Sequence, residues 1–322
     1  MKFSQTLYKY CNKRIFCGLT KPHRSPVKKD YNYFIIIPSY AEKFYLEDTL
    51  DSIDQQEKKI LNKTLVIIVI NNSENDSRAI KKNNHQTYQK IINLNYNFEF
   101  VVIDCFSNTY ALPEKTAGVG LARKIGMDYC IEFSHMYSLF FSIDADTLID
   151  KNYLTIIIQE YQKKQFGAAV INFKHQKNNN PKIQQAIIQY ENLLKDIAKN
   201  IKNSGSPYGF VSIGSTIVCS MQAYISIGGI PPKKATEDFY FLQKLAKYKP
   251  IHIIDDILVY PSSRAEQRVY LGTGFRMKNI YNNILFDDLY IKPKAYKDLK
   301  ILYKIIESNW DNESTEIMSC LV

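Results

Sequence analysis

Two pairs of carboxylates have the spacing of chemistry. Asp144 and Asp146 sit one residue apart in Leu139-Phe140-Phe141-Ser142-Ile143-Asp144-Ala145-Asp146-Thr147, where an apolar run stops. Hard oxygen donors at the carboxyl edge of a parallel strand suit Mg²⁺ or Mn²⁺, which are usually held by one or two carboxylates plus substrate phosphates. A plain strand-end turn, with Thr147 capping a helix, competes with that explanation. Glu237 and Asp238 follow Thr236 just behind the turn Gly228-Gly229-Ile230-Pro231-Pro232. Either Thr236 caps a helix whose dipole favours acids in its first turn, or one carboxylate faces a cleft as a general base. Three arginines accompany these acids. Arg123 lies in the first turn of a helix led by Gly118-Val119-Gly120, whose glycines let backbone approach a ligand and whose start offers N–H groups to an anion. Arg264 and Arg268, beside Gly272-Thr273-Gly274, can grip a diphosphate or pair with surface acids.

The elements that must position these groups alternate strand and helix. Tyr33–Ile37 is a short apolar run of the kind buried on both faces, closed by Pro38-Ser39-Tyr40-Ala41-Glu42. Leu46, Leu50 and Ile53 mark a helix face, and Leu65–Ile70 a second strand ending in the polar loop Asn71-Asn72-Ser73-Glu74-Asn75-Asp76. A polar helix, a third strand near Phe98–Asp104, the helix bearing Arg123 and a fourth strand reaching Asp144 complete the first half. That order predicts an α/β fold with a mainly parallel, Rossmann-like sheet and helices on both faces. Gly118-x-Gly120 precedes the fourth strand rather than following the first, so it is no dinucleotide fingerprint. Beyond residue 150 the pattern predicts helix 153–161, strand 168–173, a long amphipathic helix through Ile183, Ile187, Tyr190 and Ile201 packed on the sheet, and strand 251–259. The expected organisation is a basic, flexible, solvated segment 1–30, halves 31–150 and 151–275 of one domain, and a helical extension 276–322.

Composition bounds the partners. The 322 residues are 45% hydrophobic, enough for a large core. Of the formal charge of +10, residues 1–30 carry +7, with eight Lys/Arg against Asp30, so the body is nearly balanced and nucleic acid is not an expected partner. The basic segment suits contact with anionic lipid or an acidic partner. No apolar run reaches membrane-helix length and no signal-peptide core precedes the first charges, which gives the expectation of a cytoplasmic protein, peripheral to the membrane's inner face. The six cysteines form no C-x-x-C pair, so neither zinc nor a disulfide framework is expected.

The order of these motifs is more specific than any one of them. Pro38-Ser39-Tyr40-Ala41-Glu42 after a first strand, Asp144-Ala145-Asp146 after a fourth, and Gly228-Gly229-Ile230-Pro231 before Thr236-Glu237-Asp238 together resemble the inverting family-2 glycosyltransferases of the GT-A fold. The resemblance runs from about Tyr33 to Gly274. It implies transfer of a sugar from a nucleotide-diphosphate donor to an acceptor hydroxyl (a glycan, a lipid-linked or another alcohol) in surface glycan or glycolipid synthesis. It implies that Pro38, Ser39, Tyr40 and Glu42 line the nucleotide pocket, that Asn71 stands where the nucleobase is contacted, and that Arg123 approaches the donor. Asp146 would bind Mn²⁺ or Mg²⁺, with Asp144 contacting metal, ribose or sugar, and Asp238, beside Glu237, would be the base. Arg264 and Arg268 stand near the place of the family's Gln-x-x-Arg-Trp element, which this chain lacks. Asn71-Asn72-Ser73 likewise replaces the family's nucleobase-contacting aspartates. A sugar-nucleotide pyrophosphorylase would want glycines and a base in the 38–42 loop. A non-catalytic nucleotide-sugar or glycan binder is the alternative from another class, and it would have no use for Asp238.

Overall fold

The computed structural model describes residues 2–266, 272–281 and 290–309. Helix α1 (Lys2–Lys13) and the two-residue strand β1 (Lys21–Pro22) come first. The apolar run after them is β2 (Tyr33–Ser39), and α2 (Leu46–Asp54) buries Leu46, Leu50 and Ile53 as their spacing requires. A short turn of helix, α3 (Lys58–Leu61), leads to β3 (Thr64–Asn71); α4 (Arg78–Ile91), capped by the Ser77 hydroxyl, leads to β4 (Glu99–Cys105). Then follow α5 (Val119–Cys130), β5 (Leu139–Ser142), β6 (Leu148–Ile149), α6 (Tyr153–Lys164) and β7 (Ala168–Phe173). The remaining elements are α7 (Pro181–Asn203), β8 (Ile217–Ser220), α8 (Met221–Ser226), α9 (Glu237–Tyr248), β9 (His252–Tyr260), α10 (Thr273–Tyr281) and α11 (Pro293–Ser308).

The strands form one sheet in the order β1-β4-β3-β2-β5-β8-β7-β9-β6. Strands β4, β3, β2 and β5 run parallel, with Ile36 opposite Ile67 on one side and Ser142 on the other. Their apolar runs are continuous because both faces are covered: Ile35–Ile37 and Val66–Ile68 are fully buried. Each such side chain contributes about 1.5–3 kcal/mol through burial. The shared direction brings the chain after Ser39, Asn71 and Ser142 to one edge, where an α/β sheet places its ligand site. The parallel run is confined to these strands and to β7 with β9; β8 pairs antiparallel with both β5 and β7, and β1 and β6 are antiparallel edge strands.

The chain divides into two units, residues 1–176 with 212–262 and residues 177–211 with 263–322. The second contains α7, capped by the Asn180 carboxamide, which accepts from Lys182 N–H at 3.0 Å, with Pro181 in the first turn. Its apolar stripe, expected against the sheet, clusters instead with Met277 and Ile280 of α10.

Residues 2–30 also depart from the expected free segment. Tyr10 of α1 is 2% exposed, Pro22 pairs opposite Ile103, and His23 Nδ1 accepts from Val102 N–H at 2.8 Å. The segment carries its own apolar and hydrogen-bonding anchors and leaves Lys9, Lys13, Arg14, Lys21, Arg24, Lys28 and Lys29 at the surface.

Candidate active site

The strand-end turn after β5 is built by backbone and by α2. Ile143 N–H donates to Ile36 O, continuing the ladder, and Thr147 N–H donates to Asp144 O across a tight turn. Thr49 Oγ1 donates to Ala145 O at 3.0 Å, and Ser52 Oγ accepts from Ile149 N–H at 3.2 Å. Thr147 caps no helix; the chain passes directly into β6. Asp144 and Asp146 therefore project from a turn held on both sides, each half-buried. Among the described residues no group of three or more His, Cys, Asp and Glu side chains is placed to hold a metal ion. Two carboxylates at a strand edge are what Mg²⁺ or Mn²⁺ requires when diphosphate oxygens complete its shell, so the donor set fits.

Arg123 joins the two acidic pairs. Its guanidinium is 3% exposed; Nη2 donates to Asp144 Oδ1 and Nη1 to Glu237 Oε1. Its Nε is buried with no hydrogen-bond partner among the described residues. Gly214 lies so close to the guanidinium that any side chain there would collide with it. Arg123, expected near the donor, is thus also a strut between Asp144 at the strand end and Glu237 of α9. The glycines before it are used the same way: a side chain on Gly120 would meet Lys233 O and Glu237 Cβ, and one on Gly118 would meet Lys234 Cα. They admit the 233–237 loop, where the sequence suggested a ligand.

The acids of α9 are perturbed by this crowding. Burial pushes Glu237 up to about 7, with Arg123 pulling it down and Asp238 and Asp144 pushing it up. Burial likewise raises Asp238, against the same pull from Arg123. Three carboxylates around one guanidinium cannot all be neutralised by it. Asp238 Oδ1 accepts from Phe239 N–H at 2.7 Å. Thr236 does not cap α9 with its side chain; its hydroxyl donates to Ala235 O, and its backbone is left-handed at φ 63°. A non-glycine residue in that region is strained, and here the loop is pinned at Glu237 and against Gly120. Ala41, at φ 59° in the 38–42 loop, is the other such residue facing this edge, held by its N–H donating to Asn84 Oδ1 at 2.9 Å.

The expected nucleotide residues divide. Pro38 and Ser39 end β2, and Ser39 Oγ is buried without a partner among the described residues. Glu42 is 3% exposed. The Tyr40 hydroxyl donates to Asp76 Oδ1 at 3.0 Å. Asn71, expected to meet the nucleobase, is 2% exposed and its amide donates to Ser39 O at 3.1 Å, so it ties β3 to β2. Arg264 pairs with Glu266 at 3.1 Å, the surface-acid alternative; Arg268 lies outside the described residues. Sequence reasoning missed Asn84, which donates to Asn71 O and Asn72 Oδ1 from inside a polar helix that gave no sign of it. It also missed Gly214, whose only signal was its place in a Gly/Ser-punctuated stretch.

Comparison with known proteins follows this geometry. No curated protein matches the sequence significantly. Among solved structures, S. aureus TarS 1-349 in complex with UDP-GlcNAc is similar with a TM-score of 0.51 and 17% identity, over 85% of this chain and 71% of that one. The mannosyltransferase PcManGT from Pyrobaculum calidifontis, in complex with GDP-Man and Mn²⁺, aligns with a TM-score of 0.48 and 12% identity, over 99% of this chain and 86% of that one. The first likeness shows the GT-A fold. The model of Glycosyl transferase family 2 matches residues 34–227, which span β2 to α8 and include Arg123, Asp144 and Asp146, and this chain belongs to that family of glycosyltransferases.

Proposed function

We propose that this enzyme moves a sugar from a nucleotide-diphosphate donor to an acceptor hydroxyl with inversion, assisted by a divalent metal, in the synthesis of a surface glycan or glycolipid. The observation that carries this is the Arg123 strut, which ties a metal-type carboxylate pair to a base-type pair across one buried cation. The likeness to a TarS structure holding UDP-GlcNAc supports a nucleotide sugar as donor.

Asp146 would hold Mn²⁺ or Mg²⁺ together with Asp144, one oxygen of which is shared with Arg123. Bound there, the metal supplies countercharge to the diphosphate as it leaves. The protein's own residues do the rest. The end of β2, with Pro38 and Ser39, and the loop after it, with Tyr40 and Glu42, line the nucleotide pocket. Glu237 is fixed by Arg123, and Asp238 takes the proton of the acceptor hydroxyl as that oxygen attacks the anomeric carbon. A carboxylate raised by burial is a stronger base for that step than one in water.

Asp146→Asn tests the metal assignment. Calorimetry with UDP-sugars and GDP-sugars is expected to show Mn²⁺-dependent tightening in the parent enzyme and none in the variant; equal tightening in both would remove Asp146 from the metal site.

Lys9, Lys13, Lys21, Lys28 and Lys29 are exposed, and in this reading they would meet anionic lipid at the cytoplasmic side of the membrane. Cosedimentation with phosphatidylserine vesicles, weakening with salt, is the expected result; equal binding to neutral vesicles would contradict it.

A further inference from the structure

The buried cluster around Asp128 plays no part in the chemistry above, yet it gathers three segments of the chain. Asp128 lies on α5, five residues after Arg123. Its Oδ1 accepts from the Tyr10 hydroxyl of α1 at 2.6 Å and from the Tyr224 hydroxyl of α8 at 2.7 Å. Its Oδ2 accepts from Phe16 N–H at 2.7 Å and from Lys124 Nζ at 2.8 Å. Asp128, Tyr10 and Tyr224 are all buried, so each of these bonds replaces one that water would otherwise make.

The cluster continues into the loop that carries the candidate base. Gly229 follows α8 with φ at 76°, a left-handed conformation, and its N–H donates to Tyr224 O at 2.9 Å. A side chain on Gly229 would strike the Tyr10 hydroxyl, so the loop starts pressed on that oxygen. The Tyr224 ring also packs edge-on against Phe241 of α9 at 6.1 Å between centroids. The 228–236 loop is therefore gripped at its beginning by Tyr10 and Tyr224 and, where it enters α9, by Arg123 on Glu237. Both grips are mounted on α5.

We infer that α1 is part of the catalytic apparatus: Tyr10, acting through Asp128, Tyr224 and Gly229, is a positioning residue that holds the loop leading to Glu237 and Asp238 of α9 in register with Arg123. The inference rests on the proposed role of Asp238. It gives a role to a segment expected to be flexible and solvated. Because it fixes the base rather than the donor pocket, its loss is read in turnover and not in donor affinity.

Tyr10→Phe removes one hydroxyl and keeps the ring, and circular dichroism matching the parent checks that the variant is folded. Two measurements are made on the full chain, hydrogen exchange by mass spectrometry and steady-state transfer. Exchange in peptides covering 228–238 is expected to rise about tenfold while peptides covering β2 and β3 stay unchanged. The turnover number is expected to fall about tenfold, with donor Kd from calorimetry within about twofold of the parent. Gly229→Ala, which crowds the same oxygen, is expected to behave alike. Unchanged exchange, unchanged turnover, or a fall in donor affinity matching the fall in turnover would each overturn the inference. A parent enzyme that transfers no sugar would instead overturn the proposed reaction, and the exchange comparison would still decide whether α1 holds the loop.

Discussion

Arg123 is the residue on which the site turns, because it is the shared partner of Asp144 and Glu237 and is itself almost wholly buried. A buried guanidinium keeps its charge, so the acids around it adjust instead. Burial lifts Glu237 to about 7 and raises Asp238 as well. Transfer needs a deprotonated base, so the rate is expected to fall as pH drops through this raised pair, with the acid limb of the pH–rate profile above the usual carboxylate range near 4. A limb at an ordinary carboxylate value would show that neither acid is perturbed during catalysis. The same shift acts on stability with the opposite sense of pH. A carboxyl whose folded pKa is raised contributes stability that is fully present below its unfolded value, 4.5 for Glu237, and is lost as pH rises through about 7.

At the scale of elements, the site depends on the depth of the parallel strands behind it. Ile67 sits fully buried in β3 opposite Ile36 of β2. Ile67→Ala is expected to cost about 2–5 kcal/mol of stability and to lower the melting temperature by several degrees, measured by calorimetry, with donor affinity retained in the folded fraction. A negligible change would mean that the sheet centre is loosely packed. These strands were legible because unbroken runs such as Leu65–Ile70 have few other uses, and α2 and α7 showed themselves by helical spacing. The antiparallel direction of β8 was not legible, since period and composition carry no direction. Nor was the burial partner of α7: an apolar stripe says that something covers it, and Met277 and Ile280, some 90 residues on, do so. Of the two alternatives open for Thr236, the side-chain cap does not form, because local capping preference yields to a loop fixed by Arg123 and Gly120.

At the scale of the whole molecule, the order of motifs along the chain identified a family-2 glycosyltransferase, and the family match over residues 34–227 agrees. Asp144, Asp146, Glu237 and Asp238 were legible as acids at two element ends. That one arginine ties a pair from each end together was not, since a separation of 114 positions between Arg123 and Glu237 leaves no periodic trace. The basic first 30 residues misled for a related reason: charge announced a solvated segment, while the few residues that anchor it, Tyr10 and His23, are outnumbered by lysines and arginines. Family membership also decides against a non-catalytic binder, and it leaves the division of labour between donor-holding and proton-accepting acids as the central claim. That claim is tested most directly by Asp238→Asn, comparing nucleotide-sugar affinity in Mn²⁺ by calorimetry with product formation on a hydroxyl acceptor. The expected result is donor affinity within about twofold of the parent and transfer reduced by about 10²–10⁴-fold, the range a general base contributes. Transfer at near the parental rate would contradict the assignment and pass the role of base to another group.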